Sequence, residues 1–277
     1  MSDRLHQTFA ERAELAASAV AQRLFKLMTK KESNLCLALD ETDPDRFLTV
    51  AESLGPHLAV LKTHIDTLSS FTSKLTIELA NLAREHDFLI FEDRKFADTG
   101  TTVKNQYTKG LYSIMEWADI VNAHALPGPS IVEGLREEVE NRDLLERRAI
   151  LLLAQMSPKG NMLDAAYTKK VVAMAKEYPD FVMGFVGTGP KALPALAREA
   201  DPGQVIFAPG AKIGEKDKLG PRYSPPEDLV EAGADVLIVG RGIWEDPKPL
   251  RMAKDYRERC WGAYQQRIAA PKVGKKK

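Results

Sequence analysis

The sequence predicts an α/β fold, a (β/α)8 TIM barrel preceded by an N-terminal helical extension. Three observations carry that expectation. Eight short apolar runs recur along the chain, several of them rich in Val, Ile and Phe with little alternation, as strands buried on both faces require. Helix-like stretches lie between them, with Gly, Pro and Asp at the joins. The eight repeats fill about 240 residues, close to the roughly 250 that such a barrel takes. A doubly wound open sheet is the alternative.

Residues 1–30, beginning MSDRLHQTFAERAELAASAVAQRLF, are charged and amphipathic and lack the apolar core of a signal peptide. They are expected as one or two helices on the barrel exterior. Residues 31–268 are expected to be the barrel. Its strands fall at LCLAL (35–39), LAVLK (58–62), FLIFE (88–92), DIVNA (119–123), ILLLA (150–154), FVMGFV (181–186), QVIFA (204–208) and VLIVG (236–240). Helical segments are expected at 45–54, 74–85, 131–139, 165–177 and 227–232, among others. Residues 269–277, AAPKVGKKK, lack apolar periodicity and are expected as a disordered tail whose lysines form a solvated end.

Composition narrows the function. Lys plus Arg equals Asp plus Glu at 39 each, so bulk charge gives no reason to expect a nucleic-acid or membrane partner. Any anion must be gripped locally. No apolar run reaches bilayer length. Cys36 lies inside LCLAL and reads as a buried, inert thiol, and with Cys260 it makes neither a disulfide framework nor a metal site. The expected location is reducing and cytoplasmic.

In a barrel of this kind the active site lies at the C-terminal ends of the strands. Those ends carry Asp40, then Lys62, Thr63 and His64, then Asp93, Arg94 and Lys95 with Asp98 beyond, then Asn122 and His124, then Gln155, Ser157 and Lys159. The seventh ends at Pro209-Gly210 and the eighth at Gly240-Arg241-Gly242. Residues two apart on a strand point the same way, so Asp93 and Lys95 should face the mouth together, with Lys62 beside them. Glu92 and Arg94 should point toward the helices and form an ordinary salt bridge. Asp98 falls in a turn, where its bland role is helix capping. Two lysines and two carboxylates make a neutral cluster, and a buried ion network is a poor route to stability, which favours chemistry. Glycines beside Arg241 suit a phosphate after the eighth strand. The polar loop 209–223 reads as a hinged lid or as a plain surface excursion.

FEDRKFADTGTTVKNQY, LKTHIDTL, WADIVNAHALPGPSIVEGL, LLAQMSPKGNM and VLIVGRGI together resemble the orotidine 5′-phosphate decarboxylase family, in particular its fungal and animal type. The resemblance runs from residue 35 to 243. It implies a homodimer that converts orotidine 5′-phosphate to UMP and CO2 in pyrimidine biosynthesis without metal or organic cofactor. It implies Lys62, Asp93, Lys95 and Asp98 as the catalytic charge network, with Asp98 and Thr102 completing the partner's site. It also implies ribose contacts from Asp40, Lys62 and Thr102, a base contact from Ser157 beside Pro209, and phosphate contacts from Tyr223 and Arg241. Thr63, His64 and Gly240 join the substrate-binding set through their strand ends. One departure stands in the loop: LGPRY replaces the family's usual LGQQY, which puts Pro221 where a glutamine would reach the phosphate. Either Arg222 substitutes or lid closure is weakened.

The reaction so implied needs help at one carbon. Asp98 would crowd the departing carboxylate, and two like charges about 4 Å apart at an effective dielectric of 20 repel by roughly 4 kcal/mol. Lys95 would stabilise the negative charge left behind and protonate it. Two rivals remain: a metal-dependent relative acting on another sugar phosphate, and a non-catalytic phosphate-binding barrel.

Overall fold

Each of the eight apolar runs forms a strand, and each strand pairs in parallel with its sequence neighbours until β8 closes on β1. The computed structural model describes residues 4–214 and 223–270. In chain order the elements are α1 (Phe9–Leu15), α2 (Ala19–Lys31), β1 (Leu35–Ala38), α3 (Pro44–Leu54), β2 (Val60–Thr63), α4 (Ser73–His86), β3 (Leu89–Phe96), α5 (Gly100–Thr108), β4 (Ile120–His124) and α6 (Ser130–Glu140). They continue with β5 (Ala149–Leu153), α7 (Ala165–Glu177), β6 (Val182–Val186), α8 (Gly189–Glu199), β7 (Val205–Pro209), α9 (Pro226–Glu231), β8 (Val236–Val239), α10 (Arg241–Trp244) and α11 (Pro249–Ala269). The closed barrel excludes the open sheet. Strands β1, β2, β5, β6 and β8 are buried along their whole length, which is why their runs read as continuous rather than alternating.

Several helices begin where short polar side chains can take the free N–H groups. Thr8 and Glu11 form a reciprocal capping box on α1, and Asp43, Thr72 and Asp164 cap α3, α4 and α7. The α5 and α6 helices approach so closely that a Cβ on Gly134 would lie 2.6 Å from the Gly100 carbonyl oxygen. This contact seats α5, which carries Thr102.

The N-terminal extension is two helices, as expected, and it is fastened to the bottom of the barrel by charge. Asp235, ahead of β8 and fully buried, receives Arg4 at 2.7 Å, Arg12 at 2.5 Å and Arg267 of α11 at 3.4 Å. Burial alone would raise this carboxyl; the Arg12 and Arg4 charges outweigh it and hold Asp235 well below the usual range. The α11 helix runs to Ala269, one residue past the expected end of the barrel domain. The rest of the expected tail, 271–277, lies outside the described residues, as do 215–222 of the loop, with Pro221 and Arg222. Among the described residues no helix is long and apolar enough to cross a membrane. Cys36 and Cys260 are free and buried, and burial pushes both thiols up.

Candidate active site

Asp93 is the centre of the polar cluster at the barrel mouth. Lys95 Nζ lies 2.7 Å from its Oδ1, and Lys62 Nζ lies 3.0 Å from its Oδ2. Asn122 Nδ2 donates to Oδ1 at 2.6 Å, and His64 Nε2 lies 3.1 Å from Oδ2. The other ring nitrogen of His64 is 2.7 Å from Asp40. Burial would raise the Asp93 carboxyl, yet the His64 hydrogen bond and the Lys62 and Lys95 charges prevail and hold it well below the usual range. Hydrogen bonds to Asp40 and Asp93 raise His64 to about 9. Asp40 is lowered in return, chiefly by its hydrogen bond with His64.

Lys95 reaches this place by a route that alternation does not describe. Its φ is +51°, in the left-handed region, and the β3–β4 register slips between Glu92 and Phe96. A bulge therefore turns the end of β3 so that Lys95 folds back on Asp93. The Asn122 carboxamide oxygen accepts the Lys95 backbone N–H at 2.7 Å and pins the bulge to β4.

The expected Glu92–Arg94 salt bridge does not form. Glu92 does turn toward the helices, but it is fully buried and accepts from Thr63 Oγ1 at 2.5 Å and from the Ile65 N–H at 3.1 Å. Arg94 lies over the Phe96 ring instead. The same bond corrects Thr63: next to the inward-facing Lys62, it must point outward, and its hydroxyl is spent on Glu92 rather than on the cavity. Asp98 does not cap α5 either; its carboxylate takes the Thr99 N–H, and Thr99 is the N-cap residue. Asp98 is exposed and Thr102 is half-buried, and neither lines either of the two cavities at the barrel mouth.

Two adjoining cavities open at this end of the barrel, of about 210 and 480 Å³. They share Lys62, Ser157, Pro209 and Ile238 as walls. The smaller holds Asp93, Lys95, Asn122 and Phe91, with Gln155 at its side. The larger holds Asp40, Gly240, Arg241, Tyr223 and Lys212. Arg241 donates to the Tyr223 hydroxyl at 3.4 Å, and the Lys212 ammonium sits 5.4 Å from the centre of the Tyr223 ring. One end of the combined space is thus an ion ladder, and the other carries Arg241 and Lys212 with Glu245 also in its wall, with room for a ligand of drug size.

The neck of the loop 209–223 is stitched shut. Lys212 N–H donates to the Ser224 carbonyl and Ser224 N–H to that of Gly210, both at 2.9 Å. Tyr256 of α11 accepts the Ile213 N–H at 2.9 Å. Gly242 has no room for a side chain, because a Cβ there would lie 2.9 Å from the Tyr256 hydroxyl. Sequence reasoning had Asn122 at a strand end without a role, and had not placed Phe91, Lys212 or Tyr256 in the site. Phe91 was findable, since it sits two residues before Asp93 on the same strand. Tyr256 was not, because it arrives from the far helix α11. His124 is half-buried, and burial first, then the Lys95 charge, lowers its imidazole. Among the described residues no three His, Cys, Asp or Glu side chains gather in a way that could hold a metal ion.

A family model described as "Orotidine 5'-phosphate decarboxylase / HUMPS family" matches residues 33–256. The chain is 43% identical to the orotidine 5′-phosphate decarboxylase of Pachysolen tannophilus, over 95% of this chain and 98% of that one. It is 44% identical to that of Phycomyces blakesleeanus, over 97% and 98%. A crystal structure of orotidine 5′-monophosphate decarboxylase from Methanocaldococcus jannaschii, complexed with the inhibitor BMP, superposes with a TM-score of 0.65 at 23% identity, covering 82% of this chain and 97% of that one. At that identity the likeness speaks for the barrel alone. The family match and the fungal relatives span almost the whole barrel, and on them this chain belongs to the orotidine 5′-phosphate decarboxylase / HUMPS family.

Proposed function

We propose that the chain is a carboxy-lyase that converts orotidine 5′-phosphate to UMP and CO2, a step of pyrimidine biosynthesis. The observation that carries this reading is the Lys62–Asp93–Lys95 ladder beside a cavity that ends in Arg241 and Tyr223. The substrate's phosphate would lie at Arg241, Tyr223 and Gly240. Its ribose would meet Asp40, His64 and Lys62, and its pyrimidine would lie against Ser157 and Pro209. The scissile carboxylate would then fall at the ladder.

Loss of CO2 leaves an electron pair on C6 of the ring. The Lys95 ammonium stabilises that pair and gives it a proton, so the pair left by the broken C6–carboxylate bond becomes the C6–H bond and Lys95 is left as the neutral amine. Asp93 holds Lys95 in place and needs no change of state, which is the sense of preorganisation. Binding energy from the remote phosphate orients the ring at the ladder. No metal or organic cofactor takes part in this reading.

A second copy of the chain would complete each site. Asp98 and Thr102 would reach across the dimer to the substrate carboxylate and ribose. The exposed side chains of Leu126 and Met162, on loops at the site-bearing end, support a covering partner there. Mixing separately inactive Lys95→Ala and Asp98→Asn proteins should restore turnover, because one site of each mixed dimer is then intact. No recovery after subunit exchange would remove the shared site.

The activity is tested by loss of orotidine 5′-phosphate absorbance on mixing with the purified chain, with and without a chelator. Turnover that survives chelation is expected. Turnover lost to the chelator would favour a metal-dependent sugar-phosphate relative, and none at all would leave a binding barrel. The cytoplasmic location is part of this proposal, checked by fractionating cells that express the chain.

A further inference from the structure

We propose that Glu92 is a positioning residue for this reaction: its buried carboxylate clamps the turn after β2 on both sides of His64 and so aims the imidazole that bridges Asp40 and Asp93. The inference rests on the reading above for its effect on turnover, though not for its effect on His64.

Glu92 points away from the cavity and touches no part of it. Its two oxygens take the Thr63 hydroxyl at 2.5 Å and the Ile65 N–H at 3.1 and 3.3 Å. Those two donors are the residues immediately before and after His64. Between them the His64 backbone has φ −122° and ψ 85°, which belongs to neither helix nor strand. Its carbonyl is held by the Thr67 N–H at 3.0 Å and the Thr67 hydroxyl at 2.8 Å, and the clamp adds a hold on the residues to either side. With the backbone held at both sides, the ring can meet Asp40 at 2.7 Å and Asp93 at 3.1 Å together.

A carboxylate is a costly choice for this place. Burial pushes Glu92 up to about 7, against the pull of its bonds to Thr63 and Ile65. An apolar side chain would avoid that cost but would leave a buried hydroxyl and a buried N–H without acceptors. One oxygen, Oε2, accepts from both donors, and Oε1 adds a longer contact to the Ile65 N–H, so a single group ties the two residues together. The outcome reaches the ladder through one side chain, because His64 is the residue that the clamp encloses and Asp93 is where His64 ends.

The test compares Glu92→Ala, which removes the clamp, with Glu92→Gln, which keeps an acceptor and removes the charge. The first readout is the His64 ring titration by NMR in the unliganded protein, assigned with His64→Asn. Glu92→Ala should return His64 toward an ordinary imidazole and lower kcat/KM by about tenfold to a hundredfold, as loss of one to two strong hydrogen bonds implies. Glu92→Gln should keep His64 raised and most of the turnover. Glu92→Ala combined with His64→Asn should be no slower than His64→Asn alone, since effects that share one route do not add. Additive losses, an unmoved His64 titration in Glu92→Ala, or equal losses in Ala and Gln would each overturn the clamp. Should Glu92→Ala not fold, Thr63→Val removes one arm and predicts the same pattern at about threefold. A wild type that does not turn over orotidine 5′-phosphate sinks the functional reading, while the titrations still judge the clamp.

Discussion

Asp119, just ahead of β4, accepts the Ile90 N–H of β3 at 2.9 Å; Asp235, just ahead of β8, accepts the Ile206 N–H of β7 at the same 2.9 Å. The two pairs are each 29 residues apart. Both aspartates follow an alanine, and both isoleucines precede a phenylalanine. Those phenylalanines, Phe91 and Phe207, meet edge to face in the barrel at 5.8 Å. Each aspartate also takes an arginine from the N-terminal extension, Arg23 for Asp119 and Arg12 for Asp235. Two residues past Phe91 and Phe207 the likeness ends. Where β3 has Asp93 and Lys95, β7 has Pro209 and its loop Ala211; where β4 has Asn122 and His124, β8 has Ile238 and Gly240. The bottom of the barrel meets the same need twice, since an N–H near the start of each strand must find an acceptor and the extension must be fastened. The top is released from that need, so one quarter can hold an ion ladder and the other a pocket walled by Pro209, Gly240 and Arg241.

If the tops are divided in this way, removing one end should not mimic removing the other. Lys95→Ala should lower kcat by about a thousandfold or more, the product of a lost proton donor and a lost cation, and leave thermal unfolding almost unchanged. Residual turnover within tenfold of wild type would mean that the ladder is not where the chemistry occurs. The bottoms, by contrast, should answer in stability. Asp235→Asn leaves three buried guanidiniums facing a neutral group and should cost about 3–5 kcal/mol in denaturant unfolding. Asp119→Asn should cost about 1–2 kcal/mol, because its main partner Arg23 is 45% exposed. Equal losses would break the contrast between a buried hub and a half-open one. At the other top, Arg241→Ala should raise KM by about tenfold to a hundredfold with a smaller change in kcat, as loss of a charge-assisted phosphate contact implies. A change confined to kcat would place the phosphate elsewhere.

The strands were legible because burial on both faces writes itself as unbroken apolar runs, and each expected run lies within two residues of its strand except at the end of β3, which runs four residues further, to Phe96. The strand-end candidates followed from the barrel, and most of them do line the cavities. What was not legible has one physical character: it depends on contacts between distant residues or on backbone that departs from the regular. Nothing local in the sequence says that Arg4 and Arg12 will meet an aspartate more than 220 residues away. Nothing in DRK says that Lys95 will take a positive φ. Period-two reasoning brought Asp93 and Lys95 together for an incomplete reason, and the bulge is the cause that it lacked. The same rule, applied to Thr63 beside Lys62, would have kept Thr63 out of the site.

The smallest effect concerns the one end that should respond to alkali. The folded-state value of His64 is raised from 6.5 to about 9 by its bonds to Asp40 and Asp93. A raised base contributes stability that is fully present below about pH 6.5 and is lost as the pH rises through about 9. Asp40 and Asp93 are lowered, so their contribution fades only in acid, below the 3.8 of a free carboxyl. Glu92 is raised to about 7 from 4.5, so its part is lost between those values as the pH rises. Lys31, lowered to about 8 from 10.5 by burial, works against His64 in alkali, since the fold gains as that ammonium is discharged. A direct pH scan would mix these, so the measurement is the difference between wild type and His64→Asn. With the His64 ring 29% exposed, solvent screening leaves a difference on the order of 1 kcal/mol between pH 6.5 and 9. Wild type should lose that much more than the variant across the window. Arg241→Ala, at the opposite top, should keep the wild-type slope. If it flattens the slope as His64→Asn does, the two ends share one electrostatic unit, and the division drawn between β3–β4 and β7–β8 fails.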